Sequence, residues 1–133
     1  MSHYKTFATY SHEGKTYNNI QNGVSKVHRI TSSTERTKLI KNNNVVVIDN
    51  YTDWCHPCKE LEPKFSLLAD KLSLNSICAF GKENVEDELG GLPEQINGVP
   101  CFHFYVNGEF QPEMVISGAD IESVEITLTN LLS

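Results

Sequence analysis

The sequence predicts an α/β fold in which a central mixed β-sheet is flanked by helices, and three observations predict it. Val45-Val46-Val47-Ile48 is a continuous β-branched run. Such a run suits a strand buried on both faces, as in a parallel sheet. The stretch from Lys59 to Leu74 then carries Leu61, Phe65, Leu68 and Leu72 at helical spacing, so strand and helix alternate. Asn107-Gly108, set between apolar runs, is a strong hairpin-turn signal and closes the sheet with an antiparallel pair.

The remaining elements follow in chain order. Residues 1 to 23 form a polar N-terminal extension, and residues 24 to 133 form the domain. Within the extension, Tyr4 to Tyr10 and Lys15 to Tyr17 flank a Glu13-Gly14 turn signal; a short hairpin and a loosely ordered arm both fit it. Val24, Val27 and Ile30 mark a first strand. Ser32-x-x-Glu35 is a capping-box signature that opens a helix through Leu39-Ile40, and the Asn42-Asn43-Asn44 cluster ends it. Pro63 is expected to kink the second helix. Ile77 to Phe80 is a short buried strand, and the acidic, glycine-broken stretch from Asn84 to Gly91 is a loop. Leu92 to Ile96, with Pro93 near its first turn, suggests a short helix. Cys101 to Val106 is a strand, and Met114-Val115-Ile116 is the returning strand, ended by Gly118. Asp120 caps a last helix carrying Val124, Leu128, Leu131 and Leu132. The predicted order is β-α-β-α-β-(short α)-β-β-α.

Composition narrows the class of function. The chain has 133 residues, enough for one compact domain with a core of its own. Its formal net charge of -6 argues against a nucleic-acid partner, which needs a basic face, and against attraction to anionic lipid. The longest aliphatic run, Val45 to Ile48, is far short of the ~18 apolar residues of a membrane span. Met1 to Tyr10 lacks the basic start and apolar stretch of a secretory signal. With no signal, Asn50-Tyr51-Thr52 reads as a chance sequon. Cys55 and Cys58 form one close pair, while Cys78 and Cys101 are lone residues in apolar segments. That usage points to a reducing compartment, the cytoplasm, or the host cytoplasm or virion if the chain is viral.

The chemistry sits in Trp54-Cys55-His56-Pro57-Cys58, between the buried strand and the amphipathic helix. A cysteine at a helix N-terminus meets unpaired N–H groups and the positive end of the dipole, and both favour its thiolate. Cys58 lies one turn later on the same side, within reach of a disulfide. Pro57 suits the first helical turn, where its missing N–H is not needed. A zinc half-site is the competing use of such a pair. It is disfavoured because Cys78 and Cys101 stand 23 positions apart, each inside a strand, rather than in a knuckle.

The segment from Val45 to Lys59 resembles the active-site stretch of thioredoxins, and so does Val99-Pro100 followed by a strand and Asn107-Gly108-Glu109. The resemblance runs from Val24 to the end, and its elements come in the family's order. It implies a thioredoxin fold and a dithiol/disulfide oxidoreductase that reduces protein disulfides, with no metal and no cofactor beyond a redox-active Cys55-Cys58 disulfide. Cys55 matches the attacking cysteine and Cys58 the resolving one. Asp49 matches the buried acid that manages the proton of the resolving thiol; a solvated strand-end position is its alternative. Trp54, His56, Pro57, Val99, Pro100 and Gly118 fall where the family contacts substrate, Pro100 matching its cis-proline. Lys82 is the nearest basic candidate to partner the acid. The sequence departs from the family at three places: His56 replaces the usual Gly, Tyr51 a Trp, and Cys101 a residue that is commonly Thr. A protonated His56 beside the Cys55 thiolate would stabilise the reduced form and make the protein more oxidising. An oxidase or isomerase, and a non-catalytic binding module of the same fold, are the alternative functions. The implied partners are protein disulfides and an external reductase or oxidant, with the chain a monomer or weak dimer in electron transport and cell redox homeostasis.

Overall fold

The computed structural model describes residues 25–73 and 77–133. The expectations placed on residues 1 to 24 and on Leu74 lie outside the described residues. The elements are β1 (Val27–Arg29), α1 (Ser33–Lys41), β2 (Val45–Tyr51), α2 (His56–Leu72), β3 (Cys78–Asn84), β4 (Cys101–Val106), β5 (Glu109–Phe110), β6 (Ile116–Ser117) and α3 (Ile121–Leu132). Single 3-10 turns occupy Val85–Asp87 and Pro112–Met114. The sheet runs β1-β3-β2-β4-β5, with β6 also on β4. β1 and β2 pair parallel to β3, whereas β4 runs antiparallel to β2, β5 and β6. This is the predicted mixed sheet between helices.

β2 is central and buried at all seven positions, as its β-branched run requires. Alternation along the strands sends their side chains to two faces. On one face Val45, Val47, Phe80, Phe102 and Phe104 pack against Leu61, Phe65 and Leu68 of α2 and Val124 and Leu128 of α3. On the other, Val46, Ile48, Ala79 and Tyr105 meet Leu39 and Ile40 of α1. Gly81 lets α1 approach, because a Cβ there would lie 2.8 Å from Leu39 Cδ2.

Local signals set the helix ends. Ser32 Oγ accepts the Glu35 N–H at 3.1 Å, while the Glu35 carboxylate reaches one residue further back than a capping box requires, to the Thr31 N–H at 2.7 Å. Asp120 caps α3 by accepting the Ser123 N–H at 3.1 Å. α2 continues through Pro63. Asn107 and Gly108 have φ of 51° and 85°, the two positive values a type I′ hairpin turn needs.

Two expectations are corrected. Leu92 to Ile96 forms no helix. Five residues are too few to offset nucleation without a docked apolar face, and Glu94 instead places its Oε2 3.3 Å from Nε2 of buried His103. The returning strand does not include Met114. It is split into β5 and β6 by the turn at Pro112–Met114, where proline has no N–H to give the ladder.

Candidate active site

The site lies where β2 ends and α2 begins. Cys55 is the N-cap of α2, and its Sγ accepts the Cys58 N–H at 3.2 Å. The two cysteines are joined in a disulfide, with Cα atoms 5.2 Å apart. Pro57 occupies the first turn of α2. Both cysteines are buried, Cys55 at 3% and Cys58 at 4% exposure, against Tyr51 and Val99. The Val99 carbonyl oxygen lies 3.6 Å from Cys55 Sγ.

The Val99-Pro100 bond is cis. The Pro100 carbonyl accepts the Gly118 N–H at 2.8 Å, which ties the residue before β4 to the residue after β6. Gly118 has φ of 104°, a value that favours glycine. Trp54 stands out at 66% exposure, its Nε1 donating to Glu86 Oε2 at 2.8 Å. His56 is also exposed, and its Nε2 lies 3.1 Å from Glu60 Oε2, one helical turn on. The imidazole is thus engaged by a carboxylate rather than by the sulfur, and any positive charge on it is opposed. The structure therefore gathers Trp54, Cys55, His56, Pro57 and Cys58 at one end of α2, with Val99 packed on Cys55 and Pro100 and Gly118 bonded together behind it.

Asp49 is 3% exposed, so the solvated alternative is excluded. Alternation places it on the face of β2 that carries Val47 and Tyr51, the face α2 covers. Its Oδ1 has no hydrogen-bond partner among the described residues. Burial, with a contribution from the charge of Glu62 and against the lowering influence of the Lys82 ammonium, pushes the Asp49 carboxyl up to about 8. Lys82 is the register neighbour of Asp49 on β3. Its Nζ donates to Glu62 Oε2 at 2.6 Å and lies 6.0 Å from the Tyr51 ring centroid.

Sequence reasoning named Lys82 but missed Glu60, Glu62 and Glu86. Glu60 carried a signal, its i+4 spacing from His56. Glu62 and Glu86 meet their partners across the chain, which spacing does not reveal. Cys78 and Cys101 are free and buried, and burial pushes the Cys78 thiol up to about 11. Neither approaches the Cys55-Cys58 pair as a zinc knuckle would. Among the described residues, no group of three or more His, Cys, Asp or Glu is placed to hold a metal. No helix there is long and apolar enough to cross a membrane.

Comparison with known proteins places this geometry. The family model for thioredoxin matches residues 26–129. A thioredoxin-like protein of Fusarium culmorum is 38% identical over 99 residues, covering 71% of this chain and 81% of that one. Thioredoxin-3 of Dictyostelium discoideum is 38% identical over 108 residues, 79% of this chain and 96% of its own. The crystal structure of Malassezia sympodialis thioredoxin superposes with a TM-score of 0.66 at 28% identity, covering 80% of this chain and 90% of that chain. Because the family match spans residues 26–129, a range that includes Asp49, both cysteines, Pro100 and Gly118, the chain belongs to the thioredoxin family of protein disulfide oxidoreductases.

Proposed function

We propose that the chain reduces protein disulfides, with Cys55 attacking, Cys58 resolving and Asp49 taking the proton of Cys58. The observation that carries this reading is Cys55 at the helix N-cap, its sulfur already accepting the Cys58 N–H. A thiolate there gains the same hydrogen bond and the helix dipole. The Cys55 thiolate attacks one sulfur of a substrate disulfide, and the other substrate sulfur leaves as a thiolate. Asp49 removes the Cys58 proton, and the Cys58 thiolate attacks Cys55 Sγ. The mixed disulfide breaks, the second substrate thiolate departs, and two electrons have passed to the substrate. Cys55 and Cys58 end as the disulfide described here.

A carboxyl with a pKa of about 8 is well matched to a thiol, whose ordinary value is ~8.5, so the proton moves with little driving force lost. Trp54, His56, Pro57, Val99, Pro100 and Gly118 would form the surface against which the substrate chain lies. The Glu60 carboxylate on His56 favours a reductant over an oxidant, because it offsets the charge that would stabilise the thiolate. Recycling falls to an external reductase, and the setting is a reducing compartment such as the cytoplasm, with the chain working as a monomer or weak dimer in cellular electron transport. Mixing the reduced protein with a disulfide-linked fluorogenic peptide tests the assignment. Cys55→Ser should abolish reduction, and Cys58→Ser should accumulate a mixed disulfide through Cys55. Trapping through Cys78 or Cys101 would overturn it.

A further inference from the structure

The family resemblance accounts for an acid under the cysteines and a lysine beside it, but not for a second carboxylate holding that lysine. Glu62 lies on α2, one turn beyond Cys58, and its carboxylate takes the Lys82 ammonium at 2.6 Å. Glu62 and Lys82 are 23% and 19% exposed at their side chains, whereas Asp49 is sealed and its Oδ1 has no hydrogen-bond partner among the described residues. The pair is thus only partly enclosed, and its lysine is the register neighbour of the sealed acid.

We propose that Glu62 is a positioning residue for the resolving step: by holding the Lys82 ammonium, it offsets the positive charge that this register neighbour presents to Asp49 and keeps that acid a strong enough base for the Cys58 thiol. The inference rests on Asp49 serving as the proton acceptor. Without the Glu62 charge, the Lys82 ammonium would act on Asp49 unopposed. An opposite charge at short range in a poorly solvated site stabilises the carboxylate, and a more stable carboxylate is a weaker base. The direction of both influences on Asp49 agrees, with Glu62 raising its pKa and Lys82 lowering it. The other titratable groups near Asp49 do not substitute for Glu62. Tyr51 follows on the same strand face, its hydroxyl pushed up to about 12 by burial. Cys58 and buried Lys59 come from α2, and Cys101 from β4. None of these adds a negative charge at neutral pH.

The test measures the pH dependence of peptide release in single turnover from about pH 6 to about pH 9.5, beside an NMR titration of the Asp49 carboxyl carbon. Glu62→Gln should move both the release profile and the Asp49 titration downward by about one pH unit. Lys82→Met should move both upward, which separates charge from any general loosening of the fold. Glu62→Asp should restore the wild-type position in part, and Glu62→Gln should add nothing to the profile of Asp49→Asn. An Asp49 titration that does not move in Glu62→Gln, or that moves the same way in Lys82→Met, would overturn the proposal. An Asp49→Asn profile that keeps the wild-type ionisation would instead refute Asp49 as the proton acceptor, and with it the role of Glu62 in the resolving step.

Discussion

The two faces of the sheet each bury a carboxylate, and they treat it in opposite ways. On the α1 face, Glu83 receives both Nε and Nη2 of Arg36 at 2.8 Å, and the same guanidinium donates to the Gly90 carbonyl at 2.8 Å. Both side chains are almost fully enclosed, at 4% and 1% exposure. On the α2 face, Asp49 is equally enclosed, yet its Oδ1 has no partner among the described residues and the nearby lysine is held by another acid. A bidentate pair with its polar atoms satisfied fixes architecture. A buried acid without one is unfavourable in the folded state, and that makes its proton available to chemistry. The comparison separates a carboxylate that holds the fold from one that the fold holds ready.

The comparison is broken most severely by removing the satisfied acid. Glu83→Gln strands the Arg36 charge in the interior and should destabilise the protein by about 3–5 kcal/mol, seen as a lower denaturation midpoint, while the molecules that remain folded keep their exchange chemistry. Asp49→Asn should do the reverse, slowing reduction at neutral pH by about tenfold or more and stabilising the fold. The sign follows from the direction of the pKa shift. The carboxyl titrates at about 8 when folded and at ~3.9 when unfolded. Below about pH 4 both states hold the proton and there is no penalty. Between those values only the unfolded chain loses the proton, so wild-type stability falls as pH rises and the full penalty is reached above pH 8. The Asn variant lacks this slope. Its advantage should be near zero at about pH 4 and reach roughly 2–5 kcal/mol above the folded pKa, measured by denaturant titration across pH. The smallest effect concerns the packing that brings α1 onto its face. Gly81→Ala presses a methyl group on Leu39 and Ile30 and should destabilise by about 1–2 kcal/mol without altering the pH profile of reduction.

How much of this was legible depends on how local each cause is. β2 was readable because four consecutive β-branched residues, Val45 to Ile48, suit little else. The Cys55 cap was readable because strand, turn and helix are contiguous. The segment from Leu92 to Ile96 misled because a leucine, a proline and an isoleucine mimic a helical turn. What decides its shape is distant: Glu94 reaching His103 and Arg36 reaching the Gly90 carbonyl. The burial of Asp49 could be argued from its buried strand neighbours, but the grip of Glu62 on Lys82 could not. Those two residues are 20 apart in sequence and meet only once α2 has docked on β3.

Trp54 is the chain's only tryptophan, fixed through its indole N–H to Glu86 and adjacent in sequence to the disulfide. Neighbouring disulfides quench indole emission, so the protein carries its own optical reporter of redox state. Opening the Cys55-Cys58 bond should brighten a single fluorophore, with no other indole to dilute the signal. Because the ring is 66% exposed, a bound polypeptide that covers it also shields it from a dissolved quencher. Intensity therefore reports electrons and quencher access reports occupancy, so the two can be followed together in one unlabelled sample.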